Sequence, residues 1–408
     1  RSRVPWVVVG AGLTGLATAR QLAKHFPNDE IILVEAQVVG YGPSGRNSGF
    51  AIDIPHDLGS PDYIGDPKAA KTILNTNRRA QAELIKLAET HNIDCQISPV
   101  GKYQLAVESH GIEVLKAYKQ GLTKIDEECI ELSKDELPEH IGIDYYNHGL
   151  FMPTTVLLQP ATLVKGLADS LPSNVTLYEE TAITELTHGN PITLKHKNGE
   201  IITDKLVLTN NAFATEFGFL KGRILPIFTY ASLTRPLTEE EQAALGGKPE
   251  WGIIPADPFG TTLRRTRDQR LLIRNGFSFN PKGAVNHDYL KKVKEQHRSA
   301  YERRFPMLKH IPFEYTWGGA MGMTRNHSSF FGQLDQNIYA AVACNGLGIT
   351  RGTGLGLNLA DWLGGLENEE IRFFLASKGP NWNPPEPFLS WGVNRNLQTG
   401  EKKSGLEV

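Results

Sequence analysis

What this chain has little of narrows it before any motif is read. Its 408 residues hold three cysteines, Cys95, Cys129 and Cys344, far apart and odd in number. That pattern supports neither a disulfide framework nor a zinc site with paired spacing, and no metal ligand set is expected. Reducing conditions fit best, and the cytoplasm is the default location. The first residue is Arg1, which leaves room for a leader that has been removed. No apolar run approaches the roughly 20 residues of a membrane-spanning helix, so no integral membrane segment is expected. Net charge is only −2, and without a basic field there is nothing to recruit nucleic acid. Composition is 40% hydrophobic and 22% charged, which argues against disorder. The length exceeds one compact core, so two domains or one elaborated domain follow.

What the chain does have begins at once. Val7 to Val9 form a short apolar strand, and Gly10-Ala-Gly12-Leu-Thr-Gly15 follows it directly. A helix rich in Ala and Leu comes next, then a second apolar strand from Ile31 to Val34 with Glu35 at its end. This is the order of a dinucleotide-binding unit. The first glycine permits the tight turn, the second lets backbone approach a pyrophosphate, and the third lets helix and strand pack closely. Phosphates would sit on the helix N-terminus, where free N–H groups and a partial positive charge await an anion. Glu35 falls about 20 residues past the last glycine, the distance of an acid that holds ribose hydroxyls. A bare glycine triplet is often an ordinary turn; the flanking strands and the acid give this one its meaning. The unit leaves the choice of dinucleotide open.

Further along, Asp66 to His91 carries apolar residues at helical spacing, with Arg78, Arg79, Lys86 and Glu89 read as a solvated face. An extended stretch, Lys102 to Val107, precedes a polar helix over Ile112 to Glu128. Turn signals at Asn147 to Gly149 lead into Leu150 to Met152, and a helix runs from Gln159-Pro160 to about Leu171. Val175 to Tyr178 reads as a strand, and Thr181 to Thr203 as one polar hairpin turning at His196 to Gly199 and returning through Leu206 to Leu208. The middle of the chain changes character. Strands such as Phe228 to Arg235 and Leu271 to Phe277 suggest a half-exposed antiparallel sheet, followed by a charged helix near Tyr289 to Phe305. Then Ile338 to Ala343 reads as a strand, Cys344 to Gly348 as a turn, and Thr353 to Leu363 as a helix. The expected fold is therefore α/β, with a Rossmann-like domain on a parallel sheet interrupted by an α+β substrate domain on a mainly antiparallel sheet. The nucleotide domain takes residues 1–94, 151–222 and 318–378, and the substrate domain takes 95–150 and 223–317. Residues 379–408, rich in Pro, Asn and Gly, read as a C-terminal extension lying on the surface.

Two more glycine segments stand out. Gly40 to Gly49 contains Ser44-Gly45-Arg46-Asn47-Ser48-Gly49, which is either a flexible polar loop or a nest of N–H groups aimed at a phosphate or ring. Asn345 to Gly348 sits between a strand and a helix. It is either a plain turn or a helix dipole placed near the pyrimidine edge of a flavin, where negative charge develops on reduction.

Here a family resemblance enters. VVVGAGLTGLATARQLA, EAQVVGYGPSGRNSGF, YNHGLFMPTTVLLQPATLVKGLADSL, LYEETAITEL, VLTNNAFA and AAVACNGLGITRGTGLG, in this order, resemble the D-amino-acid oxidase superfamily. The group holds glycine and sarcosine oxidases and D-amino-acid dehydrogenases, and the Ser-Gly-Arg-Asn segment is most similar to the gamma-glutamylputrescine oxidase branch. The resemblance implies FAD. It places Gly10, Gly12, Leu13, Thr14 and Gly15 at the pyrophosphate, Glu35 and Ala36 at the adenosine ribose, and Ile183 at adenine. It places Ser44, Gly45, Arg46, Asn47, Ser48 and Gly49 along the flavin side and Gly346, Gly348, Ile349 and Thr350 at the pyrimidine end, with Asn211 a further cofactor-binding candidate at a polar strand end. Two departures matter. Sarcosine oxidases attach FAD through a cysteine where this chain has Gly319, and some relatives use a histidine where Arg46 or Asn47 stands, so non-covalent FAD is expected. Arg274 aligns with a lysine that assists dioxygen in sarcosine oxidases, which puts oxidase behaviour in question.

The implied reaction is hydride transfer from an amine or amino acid to flavin, hydrolysis of the imine, and reoxidation by dioxygen with hydrogen peroxide release. The alternatives are a dehydrogenase that hands electrons to a quinone or carrier, and an FAD-binding accessory subunit without turnover of its own. Candidate catalytic residues are Arg274, Arg264, Trp317 and Arg351, with Arg264 and Arg351 as partners for an acidic group. Candidate pocket walls are Phe50, Tyr230, Trp251, Phe277, Trp317 and Met323, with His56 and His327 in suggestive neighbourhoods.

Overall fold

The computed structural model describes residues 3–281, 283 and 287–408. Strand Arg3–Val9 lies inside the first sheet, parallel to Ile31–Val34 on one side and to Gly199–Leu208 on the other. Val175–Tyr178 continues the sheet beyond Ile31–Val34, and Ile338–Val342 continues it beyond Gly199–Leu208, both in parallel. Every residue of Ile31–Val34 is buried, as expected for a parallel strand covered on both faces. A strand from the far end of the chain thus completes the sheet that the first residues begin. Helices Leu13–His25 and Thr353–Leu363 share a core through Leu16, Leu22, Leu355 and Leu359. In place of one hairpin over 181–203, three strands form, Ile183–Thr187, Ile192–His196 and Gly199–Leu208. His188-Gly-Asn-Pro191 supplies a second set of turn residues that ends the first strand early.

The second sheet has the order Phe313–Met323, Leu225–Thr234, Leu271–Phe279, Thr262–Arg265, Trp251–Pro255, Lys102–Ala106, His148–Met152 and Ile130–Ser133. All neighbours are antiparallel except Trp251–Pro255 with Lys102–Ala106. Strands His148–Met152 and Phe313–Met323 run past the boundaries expected at 150 and 317. Alternation assigns the faces. Tyr103, Leu105, Trp251, Ile253, Leu263 and Ile273 point to one side, where Tyr301 of helix His287–Arg304 and Phe305 just beyond that helix cover them. Lys102, Gln104, Thr262, Arg264 and Arg274, one position off, point to the other.

Two expectations need correction. Arg78 and Arg79 on helix Pro67–Thr90 are not simply a solvated face. Arg78 bridges Asp53 Oδ2 (3.0 Å) and Glu127 Oε2 (2.7 Å), while Arg79 reaches Asp361 Oδ2 (2.6 Å), so the helix is pinned to three other parts of the chain. Segment 379–408 does more than lie on the surface. Helix Phe388–Lys403 has no buried residue, yet Ser404 and Glu407 beyond it are buried. Glu407 Oε1 accepts from the N–H groups of Val107 (2.7 Å) and Glu108 (3.0 Å), at the start of helix Ser109–Lys124. Those N–H groups are free because no turn precedes them, and a carboxylate is favoured there.

Candidate active site

The first part of the site is the turn after strand Arg3–Val9. Gly10 has φ +101°, a conformation that disfavours a side chain. A Cβ on Gly15 would lie 1.8 Å from the Gly10 carbonyl oxygen, so helix and turn meet without room for one. Gly12 caps helix Leu13–His25 with no side-chain bond, and the first turn has no acid. Leu13 N–H donates to Ser44 Oγ (3.0 Å), which ties the Gly40–Gly49 loop to the helix start. Glu35 Oε2 accepts from Ala11 N–H (3.0 Å) and Oε1 from Gln37 N–H (3.1 Å), with Ala36 exposed beside it. Thr181 N–H donates to Glu35 O (2.8 Å), and half-buried Ile183 opens the next strand. The open backbone cradle and the acid beside it fit a dinucleotide.

The second part faces the cradle. Asn47 Nδ2 donates to Ser44 O (2.7 Å) and its Oδ1 accepts from Gly49 N–H (2.9 Å), so the loop braces itself. Gly45 sits against Gly40, where a Cβ would be 2.2 Å from the carbonyl oxygen. Strand Phe313–Met323 of the second sheet clamps this loop. Trp317 Nε1 donates to Arg46 O (2.9 Å), and Arg46 Nη1 donates to Gly318 O (3.1 Å). Gly319 lies under the loop, with a would-be Cβ 3.7 Å from Arg46 Cβ. Gly346 approaches Met321 Sδ, and Gly348–Gly352 forms a turn of π-helix in which Ile349, Thr350 and Arg351 are buried. Such turns recur at functional sites. Thr350 Oγ1 donates to Ile52 O (2.5 Å). Asn211 Oδ1 accepts from Ala343 N–H (3.2 Å), and neighbouring Asn210 has a buried Oδ1 without a partner.

The third part is the second sheet's inner face. Trp317, Ala231, Arg274 and Thr262 are successive cross-strand partners, so they form one row beneath the loop. Gly319, Thr229 and Phe277 form the next row. Along these rows Thr229 Oγ1, Arg274 Nη1, Thr262 Oγ1 and, farther on, Gln104 Nε2 are buried with no hydrogen-bond partner among the described residues. Burial lowers Arg274 to about 10, so it is charged at neutral pH, and its nearest aromatic partner is Phe277 (5.4 Å to the ring centroid). Arg264 is differently placed. Its Nη1 donates to Ser48 O (3.1 Å) and Leu158 O (2.5 Å), which makes it a support under the loop. Arg351, within the π-helical turn, is buried with its Nε unpaired among the described residues.

Of the other wall residues, Tyr230 is buried and bonded to Ser278 Oγ (2.6 Å) toward the opposite face, and Trp251 lies in the core. Phe50, Phe277, Trp317 and Met323 are half-buried. His56 stacks on Tyr63 (4.0 Å); burial, then Lys102 and Arg351, push it to about 3, so it is neutral. Burial also lowers His327, with Asp57 opposing. Among the described residues no group of three or more His, Cys, Asp or Glu side chains is arranged to hold a metal ion. The sequence reading missed Lys102, Gln104, Thr229 and Thr262. The signal was present in the alternation of Lys102-Tyr-Gln104-Leu105, which puts two polar side chains on one face of a strand.

A family model for FAD dependent oxidoreductases matches residues 5–362. Gamma-glutamylputrescine oxidoreductase of Escherichia coli (strain K12) is 26% identical over 351 residues, spanning 84% of this chain and 79% of that protein. Sarcosine oxidase subunit beta of Rhodobacter capsulatus is 23% identical over 344 residues, 80% of this chain and 77% of that protein. Glycine oxidase from Geobacillus kaustophilus shares the fold, with a TM-score of 0.77 at 18% identity over 90% of this chain and 96% of that one. L-proline dehydrogenase from P. horikoshii does too, with a TM-score of 0.71 at 19% identity over 97% and 99%. Because the family match spans both sheets and the segments that join them, the chain belongs to the FAD dependent oxidoreductase family.

Proposed function

We propose that this FAD-dependent enzyme oxidises the C–N bond of an amine or amino acid to an imine that water hydrolyses, with dioxygen as the final acceptor and hydrogen peroxide as a product. The names of its relatives, an amine conjugate and several amino acids among them, support this class. The observation that carries the reading is the row of unpartnered buried polar atoms beneath the loop, with the Arg274 guanidinium in it.

Gly10, Gly12, Leu13, Thr14 and Gly15 would hold the pyrophosphate, Glu35 and Ala36 the ribose, and Ile183 the adenine. Ser44 to Gly49 and Asn211 would line the middle of the cofactor, and Gly346, Gly348, Ile349 and Thr350 its pyrimidine end. When bound, FAD would supply the acceptor for the hydride that leaves the carbon beside nitrogen. The protein's task is to deliver that nitrogen uncharged. An alkylamine with a pKa near 10.4 costs roughly 4 to 5 kcal/mol to neutralise at pH 7, at 1.36 kcal/mol per unit. A site that excludes water and presents Arg274 disfavours the ammonium form and lowers that cost. Trp317 would wall the reacting carbon, Arg264 would keep the loop in place from below, and Arg351 would add positive potential from within the turn.

Anaerobic mixing with a panel of amines and D- and L-amino acids tests the proposal. Loss of the flavin's visible absorbance is expected, followed by hydrogen peroxide on admitting air. Bleaching without peroxide would favour the second reading, a dehydrogenase feeding a quinone or carrier, for which Arg274 in place of a lysine is the supporting observation. No bleaching with any substrate would favour an accessory subunit. Turnover is expected to rise from pH 7 towards 9 as the amine deprotonates, and a flat profile would count against amine oxidation. Acid precipitation is expected to leave the yellow colour in the supernatant, because Gly319 offers no side chain and Arg46 and Asn47 are held in their loop.

A further inference from the structure

Beyond the row under the loop, the same sheet face carries a second polar group that none of the steps above uses. Arg274 pairs with Thr262, strand Thr262–Arg265 pairs with Trp251–Pro255, and Ile254 pairs with Gln104. Gln104 therefore stands three strands from Arg274, about 14 Å at the usual strand spacing. Lys102 lies two residues along on the same face, and its Nζ donates to Gln104 Oε1 (2.8 Å). Both side chains are fully buried. A lysine is almost never buried so completely without a charged partner, and among the described residues no carboxylate lies within salt-bridge reach of it. Asp53 is the nearest opposite charge, and it is already bound by Arg78 Nε (3.0 Å) and Thr154 Oγ1 (2.9 Å).

Several neighbours of Lys102 and Gln104 share this imbalance. Gln104 Nε2 and Tyr118 Oη are buried without partners, and Thr262 Oγ1, between this group and Arg274, is too. Arg351 brings a second buried cation, and His56 feels both Lys102 and Arg351. The free groups are chiefly donors and the surplus charge is positive, which suits an anion and repels an ammonium group. We propose that Lys102 and Gln104 hold the anionic far end of an elongated amine, a carboxylate separated by about 14 Å from the C–N bond oxidised beneath the loop. The inference rests on the proposed amine chemistry and adds a length and a charge to the substrate. Burial brings Lys102 down to about 7 against the opposing pull of Asp53 and Cys129, and a bound carboxylate is the partner that would restore its full charge.

The test uses the holoenzyme and two homologous series, ω-amino acids and plain alkylamines, each with about two to about ten methylenes. The ratio of kcat/KM for the acid over the alkylamine of equal length is expected to exceed about tenfold only in the longer members, the value of a hydrogen-bonded charge pair. Lys102→Met should erase that preference, and Lys102→Arg should restore most of it. A preference that peaks in the shortest acids would overturn the proposal, because the carboxylate would then sit beside Arg274. So would a preference that survives Lys102→Met. Binding of the non-reacting octanoate, followed by the change it causes in the flavin spectrum, decides the same point without turnover. About tenfold weaker binding in Lys102→Met and recovery in Lys102→Arg are expected, and equal binding in all three proteins overturns the site. If no amine is oxidised while octanoate binding depends on Lys102, the reaction assigned above is wrong and the anion site stands.

Discussion

Single residues in this protein show how far burial can override a side chain's usual chemistry. Lys102 sits on a fully buried strand position and its amine is lowered to about 7 by desolvation, with Asp53 and Cys129 opposing the shift and neutral His56 close by. The unfolded chain holds that proton up to a pKa near 10.4. Between those values the unfolded state binds more protons than the folded one, so the contribution of Lys102 makes stability rise with pH from about 7 to about 10. Relative to Lys102→Met, the wild-type melting temperature in the absence of ligand is expected to improve between pH 6.5 and pH 9, corresponding to about 2 kcal/mol at 1.36 kcal/mol per unit. Parallel thermal melts check this, and a constant difference would mean that Lys102 keeps its proton throughout the range. His297 illustrates the same rule in a structural role. Burial lowers it to about 4, and it is held between Ser232 Oγ (2.8 Å) and Asn275 O (3.3 Å). None of these shifts can be read from the sequence, because a lysine or histidine in a strand looks the same whether its face meets water or protein.

At the scale of elements, the sequence was most legible where pattern and packing agree. Strands Ile31–Val34 and Val175–Tyr178 and helix Thr353–Leu363 begin and end where their apolar runs do. It was least legible where partners are distant. The Gly40–Gly49 segment reads equally as a loose loop or as a built one, and the choice is made by strand Phe313–Met323 more than 250 residues later. The bond from Trp317 Nε1 to Arg46 O is one of two that cross this junction. Trp317→Phe keeps the ring and removes the donor, leaving a buried carbonyl short of a partner. A loss of about 1 kcal/mol is expected, seen as roughly fivefold weaker FAD binding in a titration of the apoprotein. Unchanged affinity together with an unchanged flavin spectrum would show that the Arg46 side-chain bond holds the loop alone.

The whole molecule is tied together by contacts between residues far apart in the chain. Glu407 binds the backbone of Val107 and Glu108, while its own carbonyl accepts from Thr261 N–H (2.8 Å) and Arg304 Nη2 (2.9 Å). Segment 379–408 therefore closes over the second sheet as a strap held by its last residues, with helix Phe388–Lys403 only loosely packed between its anchors. Glu407→Ala would leave the buried N–H of Val107 without an acceptor, at about 1 to 3 kcal/mol, and the part-buried N–H of Glu108 as well. Trypsin is expected to cut at Arg395, Lys402 and Lys403 several times faster in this variant, and a wild-type cleavage rate would show that the anchor is dispensable. A surface extension was the natural reading of a stretch rich in Pro and Asn. Nothing local could reveal that its acid belongs to the start of a helix some 300 residues earlier.

By itself the sequence determined that a strand, glycine turn and helix of the dinucleotide-binding kind lie around Gly10 to Gly15, that Glu35 stands beside that turn, and that two kinds of sheet alternate along the chain. These are encoded in short spacings, where backbone geometry leaves one residue type little choice. Only the tertiary structure decided which arginine supports a loop and which stands unpaired. It also decided that Lys102 and Gln104 share the face of Arg274 instead of facing solvent. The reason is physical: charge and hydrogen-bonding capacity are properties of a residue, but whether they are met depends on which distant strands become neighbours, and that is settled only when the sheet closes.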